Sequence, residues 1–137
     1  MRDNQPETNV MNSNVLILIG RVFLSVLFIM AGFGKLTGLA GTAQFFAAVG
    51  LPAPTVLAVV VGLLELLGGI AILVGFQTRA IAIVLAVFTL AATAIAHLNF
   101  ADQMQLLMAQ KNLAIAGGFL ALAAFGAGAY SLDGKRA

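Results

Sequence analysis

Four apolar runs separated by short polar segments dominate the pattern of this chain. The runs are Val15–Gly34, Thr55–Phe76, Ala80–Ala96 and Leu113–Ala129. A hydrocarbon core about 30 Å thick needs roughly 17 to 25 helical residues, so each run predicts one membrane-spanning helix. Membrane strands are not expected, because the runs lack the short apolar and polar alternation of a barrel.

The connections between the runs predict shorter elements. Gly38–Gly50 predicts a short helix that Thr42 could cap and that ends before two prolines. Phe100–Gln110 carries apolar residues on one helical face and predicts a second interfacial helix. In the tight link between runs two and three, Gly75 could end one helix and Thr78 could cap the next. The fold class predicted is an all-α integral membrane four-helix bundle, with two short interfacial helices on the periplasmic side.

Composition supports a membrane protein and a single domain. The chain is 61% hydrophobic and 9% charged, with a mean hydropathy of +1.06. Soluble domains are usually about 45–50% apolar. We predict a polar tail at 1–14, one four-helix domain at 15–132 and a short tail at 133–137, with disorder in the first dozen residues and from Asp133 onward. The first run is longer than the roughly 7–15 apolar residues of a signal peptide and ends without a clear cleavage site, so we expect it to be retained.

The positive charges predict the orientation of the bundle. An even number of spans places both termini on one side of the membrane, together with the link between runs two and three. That side carries Arg2, Arg79, Lys135 and Arg136, whereas the opposite side carries Lys35 and Lys111. Because Lys and Arg accumulate in cytoplasmic loops, both termini are predicted to be cytoplasmic.

Two ionisable residues, Arg21 and Glu65, interrupt the apolar runs. A charge at membrane depth costs about 2.5–3.5 kcal/mol or more and usually faces a partner or a wet cavity. With a 1.5 Å rise per residue, Arg21 would lie about 9 Å and Glu65 about 16 Å from the inner ends of their runs. A buried ion pair is therefore predicted, acting either as a structural link or in proton handling. If Arg21 instead extends to the interface, Glu65 would remain alone as a protonated proton carrier.

A second polar group gathers at the outer ends of the runs. It contains Lys35, His97, Lys111 and Asn112, with Asn99 and Asp102 nearby in sequence. A pocket roofed by the two short helices and lined by these donors would suit a small anion or the carbonyl oxygens of a quinone. The alternative is that Lys and His here are interfacial anchors.

The residues that are absent restrict the chemistry. The chain has no cysteine, which excludes thiolate chemistry and Cys-ligated iron–sulfur clusters, and its single histidine cannot supply paired haem ligands. No metal site is predicted, because Glu65 should lie far below His97 in depth. No phosphate-binding glycine loop follows a strand, and the net charge of +2 gives no nucleic-acid footprint.

Several short motifs together resemble the DoxX family of small bacterial inner-membrane proteins. They are Arg21, Ala31–Leu36, Gly50–Pro54, Glu65–Gly69, Gly75–Arg79, His97, Gln110–Ala114, Gly117–Gly118 and Ser131–Asp133. The resemblance extends from about Gly20 to Asp133 and implies a four-helix bundle in the bacterial cytoplasmic membrane. It also implies that Arg21, Lys35, Glu65, His97 and Lys111 are the polar elements of the family pattern. Some members are linked to quinone-coupled oxidoreductases, including a thiosulfate to quinone system, and others to redox-stress complexes.

The function expected is that of an accessory or quinone-interacting subunit of a membrane oxidoreductase. The expected partners are the lipid bilayer, redox-enzyme subunits and a small molecule such as a quinone, with no covalently bound cofactor. Whether the chain is itself an enzyme stays open. The alternatives are a small-molecule transporter or permease, in which the buried charges form a midplane gate, and a membrane scaffold without catalysis.

Overall fold

The computed structural model describes the backbone of residues 6–136 and the side chains of residues 12–136. Its helices are α1 (Pro6–Thr37), α2 (Leu39–Ala48), α3 (Pro54–Val74), α4 (Thr78–Ala96), α5 (Gln103–Phe125) and α6 (Leu132–Arg136). Four segments are long and apolar enough to cross a membrane: Asn12–Thr37, Pro54–Val74, Thr78–Ala96 and Gln103–Phe125. The predicted all-α four-helix membrane bundle is confirmed.

The long helices run antiparallel and form two closely packed pairs. Helix α1 packs mainly on α3, and α4 packs mainly on α5, while α2 lies against α3. We call the end that holds the N-terminal part of α1, the α3–α4 turn and α6 the terminal end, and the opposite end the distal end. A dry core joins the two pairs in the terminal half, with Phe28, Ile72, Leu85, Phe119 and Leu122 among its members.

Glycines set the close approach of α1 and α3. A Cβ added to Gly32 would meet the carbonyl oxygen of Gly62 at 2.6 Å, and one added to Gly69 would meet the backbone nitrogen of Ile29 at 3.0 Å. Side chains larger than hydrogen would force the two backbones apart at these positions. These contacts fix the register, so that residues facing each other across the pair have numbers that sum to about 97.

The ends of α1 and α2 differ from the prediction. Helix α1 already begins at Pro6, within the segment predicted to be a polar tail, whereas residues 1–5 of that tail lie outside the described residues. Thr42 does not cap α2, because Gly38 is the N-cap and the Thr42 hydroxyl donates to the Gly38 carbonyl at 3.1 Å from inside the helix. Gly50 adopts a φ of 84° after the helix, which favours glycine.

The prediction of a separate second interfacial helix is wrong. Its residues form the first turns of α5, which runs without a break from Gln103 to Phe125. The chain has no proline or glycine between Gln103 and Ile115 that would interrupt a helix, and Gln110 and Lys111 are good helix formers. Asp102 caps the start of α5, since its Oδ1 accepts from the Met104 backbone N–H at 3.0 Å.

The described C-terminal residues form helix α6 (Leu132–Arg136), so the expectation of disorder from Asp133 onward is wrong for residues 133–136. Gly75 ends α3 as predicted, with a φ of 71°. The cap of α4 comes from Asp133 rather than from Thr78: its two carboxylate oxygens accept from the backbone N–H groups of Gln77 and Thr78, each at 2.8 Å. The Asp133 backbone N–H in turn donates to the Gly75 carbonyl at 2.8 Å.

These contacts set the ionisation of Asp133. Burial raises the pKa of this carboxyl, but the hydrogen bonds from Thr78 and Gln77 and the charge of Arg136 outweigh burial and hold the pKa below its usual value. The helix N-terminus favours the same negative charge. The carboxylate therefore fastens the last helix to the α3–α4 turn.

Candidate functional site

Arg21 does not pair with Glu65, so the predicted ion pair is wrong. The Arg21 side chain is fully buried at the terminal end, where Nη1 donates to the carbonyls of Leu73 at 2.9 Å and Ile72 at 3.3 Å. Its Nη2 donates to the Tyr130 carbonyl. A guanidinium can satisfy carbonyls at the open C-terminus of a helix, where the helix dipole is negative. Arg21 thus joins α1, the end of α3 and the C-terminal segment.

The register of α1 against α3 explains the error. Because facing residues of α1 and α3 have residue numbers that sum to about 97, Gly32 rather than Arg21 lies opposite Glu65. Arg21 is eleven residues from Gly32, or about 16 Å along the helix. The prediction took the ends of the apolar runs as equal depths, but Val15 extends beyond the end of α3. That overhang contacts the C-terminal segment, where the Asn14 side chain accepts from the Ala129 backbone N–H at 3.0 Å.

Glu65 pairs with Lys35 instead. The Nζ of Lys35, near the distal end of α1, lies 2.7 Å from the Oε1 of Glu65, which is near the middle of α3. Glu65 is only 6% exposed, so its carboxylate would be costly to ionise without this ammonium. The ion pair therefore joins one residue from each of the two polar groups that the sequence analysis kept apart.

A cavity of about 330 Å³ lies beside this ion pair in the distal half of the bundle. Its wall is mainly apolar and aromatic, with Phe28, Phe45, Phe46 and Phe88 among the lining residues. The polar residues on its wall are Lys35, Glu65, Thr89, His97, Lys111 and Asn112. All four residues predicted to form an outer pocket thus line one cavity, and Glu65 joins them. Helix α2 supplies Phe45 and Phe46 to the wall, whereas the second roofing helix of the prediction does not exist as a separate element.

His97 contributes an unused polar atom to this cavity. It follows the last residue of α4, where its backbone N–H still donates to the Thr93 carbonyl at 2.9 Å. Its Nδ1 is buried and has no hydrogen-bond partner among the described residues. Buried imidazole nitrogens are normally hydrogen-bonded, so an orphaned one at a cavity wall points to a missing partner.

A series of hydrogen bonds along α4 positions the Asn112 side chain. The Asn112 side-chain amide donates to the Thr93 hydroxyl at 2.9 Å, and that hydroxyl donates to the Thr89 carbonyl at 2.8 Å. Thr89, which is buried, donates to the Leu85 carbonyl at 2.7 Å. Sequence analysis missed both threonines, because a threonine in an apolar helix commonly bonds its own backbone and gives no further signal. Lys111 is exposed, with its Nζ 3.3 Å from the Met108 sulfur.

The arrangement offers hydrogen bonds and charge in an apolar site, with no group that could carry electrons by itself. Within the described part of the chain, no three His, Cys, Asp or Glu side chains come together to hold a metal ion. The cavity is near the lower end of the roughly 300–1,000 Å³ typical of small-molecule sites. Its donors could orient one ring-sized polar group, while Glu65 could exchange a proton with it.

Comparisons with known proteins agree with this architecture. Inner membrane protein YqjF of Escherichia coli (strain K12) is 50% identical over 117 residues, covering 85% of this chain and 88% of that protein. Inner membrane protein YphA of the same organism is 38% identical over 125 residues, covering 87% and 89%. A Bacillus subtilis (strain 168) protein named "Putative oxidoreductase CatD" is 33% identical over 115 residues, covering 79% and 84%.

The family assignment rests on a second comparison. The sequence profile of the DoxX family matches residues 16–98, which include the ion pair, α2 and His97. No solved structure shows a significant match. The four apolar helices and the inner-membrane relatives show a multi-pass inner membrane protein in contact with the lipid bilayer. The chain belongs to the DoxX family.

Proposed function

We propose that this protein is an accessory, quinone-binding subunit of a membrane oxidoreductase. The observation that carries the proposal is an apolar cavity that contains the Lys35–Glu65 ion pair and the His97 Nδ1, which has no hydrogen-bond partner among the described residues. A quinone head group is an apolar ring with two carbonyl oxygens that accept hydrogen bonds. It needs what this cavity supplies, namely apolar walls with a few donors.

The roles of the polar groups follow from their positions. His97 and Lys35, both partly buried, are the candidates for donating to the quinone carbonyls, and exposed Lys111 lies at the rim. Glu65 holds Lys35 and could take up or release a proton. A bound quinone supplies the electron chemistry, and a partner subunit would deliver or remove the electrons. The name of the B. subtilis relative also supports an oxidoreductase connection.

We further propose that both termini lie in the cytoplasm and that the cavity lies toward the periplasm. Among the described residues, the terminal end carries Arg79, Lys135 and Arg136, whereas the distal end carries Lys35 and Lys111. Single cysteines can test this in the cysteine-free chain. In intact cells, an impermeant maleimide should label Ala101→Cys and spare Lys135→Cys, and the reverse pattern would overturn the orientation.

Quinone binding can be measured on protein purified from native membranes in mild detergent. We expect solvent extraction to yield close to one quinone per chain, at least tenfold less from His97→Ala, and an unchanged amount from Lys135→Met as a control outside the cavity. Quinone in the same ratio to phospholipid as in the bulk membrane, for all three proteins, would contradict the proposal. A stoichiometric flavin, haem or iron–sulfur subunit in the same preparation is the result expected for the oxidoreductase complex.

Transport is the second candidate function, and the structure gives it less support. The core around Phe28, Leu85 and Phe119 separates the cavity from the terminal end, and the Phe28 and Phe119 rings pack edge to face with centroids 5.3 Å apart. The described helices include no broken span of the kind that lines transporter sites. Solute uptake by vesicles containing only this protein would favour transport over the oxidoreductase proposal.

A further inference from the structure

The cavity is bounded on one side by the seam between α1 and α5. This seam is closed in the terminal half, where the Leu24 side chain lies against Gly118 and a Cβ added there would come 3.4 Å from the Leu24 Cδ2. Because α1 and α5 are antiparallel, residues that face each other across the seam have residue numbers with a constant sum. At the contact of Leu24 with Gly118 this sum is 142. The same sum places Leu27 opposite Ile115, and Ala31 opposite Lys111.

Beyond the Leu24 contact, the residues of this seam line the cavity instead of closing it. Leu27, Ala31 and Lys35 of α1 and Lys111, Asn112 and Ile115 of α5 are all cavity residues. From about one helical turn beyond Gly118 to the distal end, the seam therefore borders the cavity.

The depth of this part of the seam decides what surrounds it. Leu27 is near the middle of the span Asn12–Thr37, and its side chain is 40% exposed although it also lines the cavity. At that depth the surroundings of the bundle are hydrocarbon rather than water. Leu27, which both lines the cavity and is exposed, and Ile115, which also lines it, bound the part of the seam that we call the lateral gap.

We propose that the ligand of this cavity is a long-chain lipid quinone whose apolar tail leaves the protein through the lateral gap. This inference rests on the proposed function and specifies the form of the ligand and its route. The polar residues Lys35, His97 and Lys111 lie at the distal end, whereas the gap between Leu27 and Ile115 lies nearer the membrane centre. A head group held by the former would direct its chain toward the latter, and the ligand would enter from the bilayer.

The energetics say which part of the ligand provides the affinity. Moving a tail from lipid to an apolar protein groove gives no hydrophobic driving force, because both surroundings are apolar. Contacts with the head group must therefore make the ligand prefer the cavity over the bilayer, while the gap must leave room for its tail. Filling the gap should therefore harm a ligand with a tail and spare the same head group without one.

The absence of tryptophan from the chain allows a direct binding assay. Phe100→Trp exchanges one aromatic residue for another at an exposed position outside the cavity lining, three residues after His97, where a bound quinone head would quench the fluorophore. The reporter protein in nanodiscs is titrated with a benzoquinone carrying a decyl tail and with the same head group without a tail. The gap is narrowed in this background by Leu27→Phe, Ile115→Phe or both. Leu120→Phe, on the lipid-facing side of α5 and outside the cavity, is the matched control.

We expect the reporter to bind both quinones saturably. The double gap variant should bind the decyl quinone at least tenfold more weakly and the tail-less quinone within twofold of the unblocked protein, while Leu120→Phe changes neither. If the gap variants weaken both ligands equally or weaken neither, the tail does not use this route and the inference is overturned. Retained binding of the tail-less quinone also shows that the variants fold. Failure of both quinones to quench the unblocked reporter saturably would instead overturn the proposed function.

Discussion

The Lys35–Glu65 ion pair predicts an asymmetric response to loss of its partners. The Lys35 side chain is 28% exposed and the Glu65 side chain 8%, with 2.7 Å between Nζ and Oε1. Without Glu65, the flexible Lys35 ammonium can move toward the distal interface and reach water. Without Lys35, the Glu65 carboxyl group stays buried and loses its partner.

The magnitude follows from the burial of each group. Removing one partner of a fully buried ion pair costs about 3–5 kcal/mol, whereas an exposed pair contributes about 0–1 kcal/mol. Because this pair is partly exposed on the lysine side, we expect Lys35→Met to lower the free energy of unfolding by about 2–3 kcal/mol and Glu65→Gln by about 1 kcal/mol. The double variant should be more stable than Lys35→Met alone, since neither charge is then left unpaired.

The assay is reversible unfolding of the purified protein in mixed micelles, with rising SDS and circular dichroism as the readout. Lys135→Met, at the terminal end and outside the pair, controls for the loss of a positive charge. Equal effects of the two single variants would refute the argument from burial. Additive effects in the double variant would show that the two side chains do not interact in the folded protein.

The other predictions concern the contacts that hold the bundle together, and the same unfolding assay measures them. Arg21→Met should lower the free energy of unfolding by about 2–4 kcal/mol, because carbonyls of α3 and of Tyr130 lose a charged donor. Arg21→Lys should recover less than half of this loss, since an ammonium does not reach all the acceptors that the guanidinium contacts. Full recovery by Arg21→Lys would contradict that geometry. Gly32→Ala should lower the free energy of unfolding by about 1–3 kcal/mol, because the added Cβ meets the backbone of α3. Gly34→Ala is the control on the same helix: its Cβ would have nothing within 4 Å, so this variant should be as stable as the unchanged protein or more stable. Equal effects of the two variants would refute the close approach of α1 and α3. Asp133→Ala should cost about 1 kcal/mol at pH 7 through loss of the α4 cap. The pKa of Asp133 is lower in the folded protein than its unfolded value near 3.8. The carboxylate therefore contributes fully to the free energy of unfolding above that pH, and this contribution is lost as the pH falls below it. The difference in stability between Asp133→Ala and the unchanged protein should accordingly become smaller in acid.

Four residues of the cavity wall could be predicted from the sequence. Lys35, His97, Lys111 and Asn112 were identified because polar side chains at the ends of apolar runs must gather at one end of a bundle. Their presence on one cavity wall agrees with that reasoning. Their binding of a quinone stays a prediction for the titrations above.

The partners of the two buried charges could not be found in the same way. Both Arg21 and Glu65 were recognised as buried from the sequence, and both are buried in the structure. Their partners depend on the sliding position of α1 along α3, which the contact of Gly32 with Gly62 and Leu66 sets. A shift of about three helical turns exchanges one partner for another without changing the hydropathy pattern.

The sequence alone determined the number of spans, the all-α class and the end of the bundle where the polar residues collect, because hydrocarbon admits only backbones that are hydrogen-bonded internally and excludes unpaired charge. Only the tertiary structure decided that Lys35 and not Arg21 meets Glu65, that Asp133 caps α4, and that Leu27 and Ile115 both line the cavity. Those features depend on interhelical register and on contacts between residues distant in sequence. Backbone distances of a few ångströms fix them, and the periodicity of a single helix carries no record of such distances.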